Sequence, residues 1–496
     1  MTVTPDEIPM LWPCGPLAAA QRRQSEGFTP EMKTTFDRWH QPQALDLLQS
    51  SPITCLVLPW AAGLAEDKHQ WQSSTALVQA ALKRGLKVVG CVAEKADAAR
   101  AIAAARAAGL TAAAAHGFSG SAEIPVLPWA ERSHLPWDSK APVLIATGNA
   151  WPGVQAQQGG ASEAGPTGKP WVESNAWFVE LARLRTPAAV WLMFDPPAGT
   201  VLRQQSYVVA VMDTEAKGGR WVLSFDDNLR RGLVEGNAAA AQTAGAVWDT
   251  LRFFAKHRDW GSMQSLALVG VLSDYSETNF ELAGEVLKLT ARRGLLTRPV
   301  WASQAAQRGF ASLKAVVCYD EELPPPALRK RILDFVAQGN LLIAGPKWGQ
   351  LGKPSPSQQH PRYNIQLYGK GRAAIAKENV VDPYEAAIDI HGLFSRANDL
   401  VRLFNTATSG GLFYAGTPDG KRALLQLVNY TAGGGRGNAA AGTPNVAVWV
   451  KRNYRAARIW TMEAAEPEPL TAVAADSGYE YHIASLPPYA AIEFEA

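Results

Sequence analysis

Cysteine is scarce in this chain. There are four in 496 residues: Cys14, Cys55, Cys91 and Cys318. None lies close enough to another for a CxxC-type zinc motif, and a chain this long needs no disulfide framework. Cys55, Cys91 and Cys318 fall in predicted strands, where a free thiol serves as a small buried apolar group. Long apolar runs are also missing; none reaches the ~20 residues that span a bilayer. The N-terminus, MTVTPDEIPM, has neither the basic nor the apolar region of a leader. The chain as it stands reads as cytoplasmic, or as periplasmic or secreted if a leader has been removed. An excess of one charge is lacking too. The 48 basic and 45 acidic residues leave +3, with no basic patch. That argues against nucleic acid and against a membrane surface as partners. There is no P-loop, no GxSxG elbow, no HExxH and no metal cluster, so no cofactor and no metal are expected.

What is abundant is tryptophan. The 17 Trp outnumber the 15 Phe and the 12 Tyr. A Trp ring offers a flat apolar face and one donor, which suits the C–H face of a sugar; large cores also simply bury Trp. The hydrophobic share of 47% and charged share of 19% are those of an ordinary globular chain with a large core.

The first half alternates strand and helix. Apolar runs at 8–15, 53–60, 87–92, 110–117, 124–129, 141–149, 188–195 and 220–227 read as eight strands. Helices are expected over 30–49, 71–84, 94–109, 174–185, 204–217 and 238–257, the first opened by Thr29 and Pro30. Gly85 closes the second as a left-handed cap would. Eight parallel units over ~250 residues match a (β/α)8 barrel; a doubly wound sheet is the rival fold. A second α/β pattern, with strands at 265–274, 313–320 and 341–346, reads as a small flavodoxin-like open domain. Short strands with turn residues between them follow from about 364, the signal of a β-sandwich. The expected organisation is a catalytic barrel over 1–260, a flavodoxin-like domain over 261–352, a linker and crossover over 353–400, and a C-terminal β-sandwich over 401–496.

That order of parts resembles the three-domain glycoside hydrolases of the β-galactosidase family, whose middle domain mediates trimerisation. The most specific local pieces are LVGVLSDYSETNFELAGEVLKLTARRG (268–294) and LLQLVNYT (424–431). The resemblance implies an oligosaccharide or glycoside substrate and a homo-oligomer formed through the middle domain. One departure stands out. The family's acid/base Glu follows an Asn at the end of the fourth barrel strand, and this chain contains no Asn-Glu dipeptide. Its fourth strand ends in His116-Gly117, so the family's catalytic pair does not carry over. A non-catalytic glycan-binding protein on a degenerate scaffold is the alternative.

Barrel active sites lie at the carboxyl ends of the strands. That rule selects Trp12, Trp60, His116, Asn149, Asp195, Asp226 and Asp227, and the loop GPTGKPWVESNAWF adds Trp171, Glu173, Ser174 and Asn175. Glycoside hydrolysis needs two carboxyl groups, one acid and one nucleophile or base. Asp226 or Asp227, with Asp195 or Glu173 opposite, is the expected catalytic pair. Trp12, Trp60, His116, Asn149, Trp171 and Asn175 are the expected substrate contacts. Each has a plainer reading. Asp227 suits an N-cap for the turn at 228–232. Asp195 precedes Pro196-Pro197 and could shape a loop. Glu173 or Ser174 suits the first turn of a helix, and His116 could be a satisfied structural histidine. Lys256, His257, Arg258 and Asp259 read as a solvated face.

Overall fold

The computed structural model describes residues 2–13, 29–60, 68–92, 97–118, 120–148, 151, 157–158, 161–162, 174–196, 201–404, 410–430 and 443–496. The chain divides into two compact units. One holds Met1–Trp151 and Arg185–Arg258; the other holds Pro152–Leu184 and Asp259–Ala496.

The first unit is an eight-stranded parallel barrel. Its strands are β1 (Pro9–Leu11), β2 (Cys55–Trp60), β3 (Lys87–Val92), β4 (Ala112–Ala115), β5 (Val126–Glu131), β6 (Val143–Thr147), β7 (Ala189–Met193) and β8 (Arg220–Val222). Each pairs in parallel with the next in this order. Closure comes from a parallel bridge between Met10 and Leu223. Leu11 N donates to Leu223 O at 2.7 Å, and Leu223 N to Pro9 O at 3.0 Å. The fold is therefore the barrel, and the doubly wound alternative falls.

Side chains alternate along a strand with period two, and the barrel sorts them cleanly. Leu11, Val57, Val89, Ala114, Leu127, Ile145, Trp191 and Val222, one from each strand, pack into a single buried cluster without a helical member. That cluster is the barrel interior. Intervening residues such as Leu56, Val88, Ala113, Leu144, Leu192 and Trp221 are buried on the opposite face, under the helices.

Helix α1 (Pro30–Trp39) opens as its sequence suggests, with the Thr29 side chain accepting from Met32 N and Pro30 in the first turn. It stops ten residues earlier than expected. Pro42 cannot continue the backbone ladder, and a 3-10 turn, Pro42–Leu48, takes over. Gly85 (φ +80°) follows α2 (Lys68–Lys83), and Gly109 (φ +81°) follows α3 (Ala98–Ala107); both sit in the left-handed region, as helix exits favour. Helices α4 (Ala176–Arg185), α5 (Gln204–Glu215), α6 (Asp227–Val234) and α7 (Ala238–Lys256) follow. The stretch 228–232, expected as a turn, is thus part of α6, a two-turn helix. Residues up to Leu184 of α4 fall in the second unit, where Trp177 lies against Phe280 with ring centroids 5.0 Å apart.

The second unit carries a seven-stranded sheet. Its strands are β9 (Val269–Ser273), β10 (Thr297–Trp301), β11 (Ala315–Cys318), β12 (Leu341–Ala344), β13 (Lys353–Pro354), β14 (Tyr363–Tyr368) and β15 (Gly371–Ala376). The spatial order is β10-β9-β11-β12-β15-β14-β13. The five parallel strands run 2-1-3-4-5, the flavodoxin-like order, and β14 and β13 extend the sheet antiparallel. Residues 353–376, expected within a linker, supply three of these strands. The linker expectation also missed a helix, Pro383–Phe394, capped by Asp382.

Two antiparallel sheets, of six and four strands, form the C-terminal sandwich. Between them lies a buried cluster that includes Leu425, Val448, Tyr481, Ile492 and Phe494. The alternation in RALLQLVN and NVAVWV places Ala423, Leu425 and Leu427, and Val446, Val448 and Val450, in that cluster.

Candidate active site

The carboxyl end of the barrel is built by the residues that follow each inward-facing position. In β7, Trp191 and Met193 face inward, and Asp195 continues that parity, solvent-exposed. In β8, Val222 faces inward and Ser224 continues it. The two meet: Ser224 Oγ donates to Asp195 Oδ1 at 2.5 Å. Ser224 itself is buried, so the hydroxyl fixes the carboxylate from below.

In β5, Leu127 belongs to the interior cluster and Trp129 packs against it. The same parity carries Glu131, exposed at the strand's last position. Glu131 pairs in register with Thr147 of β6. Sequence reading placed this strand two residues early and so overlooked Glu131. The signal was the alternation Leu127, Trp129, Glu131 within VLPWAE. His116 follows Ala112 and Ala114 of β4 on the inward parity and is exposed.

The adjacent pair Asp226 and Asp227 behaves differently. Asp226 is 1% exposed. Its carboxylate accepts from Leu202 N at 2.8 Å, from the Tyr207 hydroxyl at 2.6 Å and from Leu229 N at 2.9 Å. It is the N-cap of α6, and both its oxygens accept from groups outside the barrel interior, Oδ2 from Leu202 N and the Tyr207 hydroxyl and Oδ1 from Leu229 N. Burial, and then the Asp226 carboxylate, push the Tyr207 hydroxyl far above its ordinary pKa, so Tyr207 stays a donor. Asp227 is the first residue of α6 and forms an ion pair with Arg230 at 3.0 Å. The cap is therefore Asp226 rather than Asp227, and the two carboxylates do not converge on the mouth.

The strand-end tryptophans are core residues. Trp12 and Trp60 fall on the outward parity of β1 and β2, and both are fully buried. Trp12 stacks on Trp39 with centroids 4.3 Å apart, and its indole N–H donates to Trp39 O at 3.0 Å. The Trp60 indole donates to Ala101 O at 3.2 Å. Neither leaves a face for a sugar. Asn175 is buried in the second unit, where its carbonyl accepts from Phe178 N and Val179 N at the start of α4. Ser174 Oγ lies 3.2 Å from the Tyr430 hydroxyl. Asn149, Trp171 and Glu173 lie outside the described residues. Among the described residues, no group of three His, Cys, Asp or Glu is placed to hold a metal ion, and no helix is long and apolar enough to cross a membrane.

Comparison with solved structures identifies the architecture. Alpha-L-fucosidase isoenzyme 2 from Paenibacillus thiaminolyticus superposes with a TM-score of 0.54 over 99% of this chain and 99% of its own, at 9% identity. The chain has the fold of a solved glycoside hydrolase. A polyextremophilic beta-galactosidase from the Antarctic haloarchaeon Halorubrum lacusprofundi matches over 98% of this chain and 99% of its own, with a TM-score of 0.47 and 12% identity. A beta-galactosidase from Bacillus circulans sp. alkalophilus matches over 86% of this chain and 67% of its own, with a TM-score of 0.43 and 10% identity. No protein-family model matches the chain, and no curated protein matches it in sequence.

Proposed function

We propose that this chain is a glycoside hydrolase acting at the carboxyl-end mouth of its barrel on an oligosaccharide or glycoside. The observation that carries the reading is the placement of Glu131 and Asp195. Both are exposed carboxylates at strand ends, both continue inward-facing positions, and β6 alone separates their strands. Adjacent strands run ~4.8 Å apart, so the two backbones lie roughly 10 Å apart. Side chains reaching toward the barrel axis shorten that gap into the ~5–9.5 Å range used by retaining and inverting enzymes. Asp195, oriented by Ser224, suits the nucleophile or base. Glu131 suits the acid. Trp129, one inward position below Glu131 and part-exposed, offers a ring face to the sugar, and His116 and Thr147 offer polar partners for its hydroxyls. The shared fold with a fucosidase supports the reading at the level of scaffold.

One observation favours a non-catalytic glycan-binding barrel instead. Strand β4 is followed by His116-Gly117, where the β-galactosidase resemblance would require Asn-Glu. Turnover of an aryl-glycoside panel by the purified chain decides between them. Asp195→Asn and Glu131→Gln should each lower the rate by ~10³-fold or more, because each removes one partner of a two-carboxylate mechanism. Azide should rescue Asp195→Ala with formation of a glycosyl azide if Asp195 is the nucleophile. Wild-type rates in both single variants would overturn the assignment. Binding of the panel without turnover by the wild-type chain would establish the glycan-binding reading. Assembly through the middle domain rests on the resemblance, and light scattering at micromolar concentration tests it.

A further inference from the structure

A second cleft lies in the other unit, in its seven-stranded sheet, and its lining is chemically unusual. The cleft encloses about 940 Å³ between the β13–β14 hairpin and the loops after β12 and β15. That volume is at the upper end of the ~300–1,000 Å³ typical of ligand pockets. Its polar lining is dominated by side-chain amides: Gln350, Gln358, Gln359, Asn364 and Gln366. Among the described residues, no Asp, Glu or Arg lines it.

The two ionisable groups of the lining that carry a proton-dependent positive charge are already engaged. Lys377 Nζ donates to Pro361 O at 2.8 Å and to His360 O at 3.3 Å. His360 Nε2 lies 3.5 Å from Asp389 Oδ1, and its Nδ1 accepts from Arg362 N at 3.3 Å. Lys377 is held by neutral backbone carbonyls and His360 faces Asp389, while a cationic ligand would find no carboxylate among the described lining residues.

The amides divide into a wall and a face. Gln366 is buried. Its Oε1 accepts from Leu351 N at 2.6 Å and Gly352 N at 2.9 Å, and its Nε2 donates to Gly349 O at 3.1 Å. All three bonds hold the 349–352 loop as one wall. Gln358 Oε1 accepts from Arg372 at 2.7 Å, which leaves its NH₂ group for a ligand. Gln350, Gln359 and Asn364 are exposed. Each amide presents a donor pair beside an acceptor, the pattern that matches vicinal hydroxyls. Pro346, Pro354 and Pro361 add apolar patches between them.

We propose that this cleft binds an uncharged saccharide chain, as a non-catalytic site separate from the barrel mouth. A peptide added to the sheet is the weaker occupant, because the outer strand β13 is only two residues long and offers almost no backbone ladder. The proposal rests on the cleft's own lining and does not require the barrel to be catalytic.

The test measures binding of a panel of neutral tetrasaccharides to the full-length chain by saturation-transfer NMR and calorimetry. The double variant Gln359→Leu/Asn364→Leu removes two exposed amides and leaves the core untouched. It should weaken binding by ~10-fold or more, since two ligand hydrogen bonds are lost, with an unchanged melting temperature. The barrel variants Glu131→Gln and Asp195→Asn should retain binding at this cleft. Glycosidase turnover, if present, should survive in the Leu double variant. No saturable binding up to 10-fold above ~1 mM, binding equal in wild type and double variant, or preference for a charged sugar or a peptide would each overturn the proposal. Loss of binding only in the barrel variants would overturn it as well, by placing the sugar at the mouth.

Discussion

Ser224 Oγ donates to Asp195 Oδ1 at 2.5 Å, joining the ends of two neighbouring barrel strands. The contact exists because both residues continue inward-facing positions, Val222 and Met193, that are paired in register. A buried hydroxyl thus orients an exposed carboxylate at the barrel rim. A hydrogen bond to a charged group contributes ~1.5–3 kcal/mol. Ser224→Ala should therefore lower kcat/KM by roughly 10–100-fold, and Ser224→Thr should restore most of it. Equal loss in Ala and Thr variants, or no loss in either, would show that Ser224 does not position Asp195.

Asp226 should matter for stability. Asp226→Ala removes the α6 cap and the partners of Leu202 N and the Tyr207 hydroxyl. Cap loss costs ~0.5–2 kcal/mol and each stranded buried donor ~1–3 kcal/mol. Urea unfolding should show a loss of roughly 2–4 kcal/mol for the set, since such terms overlap. Activity per folded molecule should stay near wild type. A variant as stable as the parent would contradict the cap assignment.

Trp60 should act the same way. Its ring is fully buried and lies against Gly90, where an added Cβ would come within 3.0 Å of it. Trp60→Ala should destabilise by ~3–5 kcal/mol, without a specific change in KM. Calorimetric melting and steady-state kinetics on the same sample separate the two effects.

Asp320, two residues after the end of β11, supplies a pH dependence. Burial, with a smaller contribution from neighbouring Asp274, raises its carboxyl from 3.8 to about 6, against hydrogen bonds from Ser273 and the Asp274 N–H. The folded chain thus holds this proton up to about pH 6, while the unfolded chain releases it near 3.8. Between these values the native state binds more protons. Stability contributed by this group falls as pH rises from about 4 to about 6 and then levels. Asp320→Asn should flatten that segment of the melting temperature against pH and leave the variant more stable than the parent at pH 7. A parallel shift of the whole curve would refute the linkage.

Much of the architecture was legible in the sequence. Apolar strands spaced by helical periods demand parallel pairing with helices on the outside, and the shift to short alternating runs after 400 demands packed antiparallel sheets. Composition and rhythm carry that information because burial on both faces of a strand requires a continuous apolar run, while burial on one face requires alternation. The candidate site was legible only in part. Strand-end positions could be named, but which way each side chain points depends on register. A one-residue difference moves a side chain to the other face. That is why Trp12 and Trp60, each one residue past an inward position, became core, and why Glu131, two residues past the expected end of β5, joined the rim. The fate of Asp226 was decided further away still. Tyr207 and Leu202, some twenty residues earlier in the chain, reach its carboxylate only once α5 has packed on the barrel, and that contact turns a strand-end acid into a helix cap. Local sequence determined which elements form and in what order. Tertiary packing decided which acids keep a face to solvent, because only the assembled barrel sets which donors each carboxylate meets.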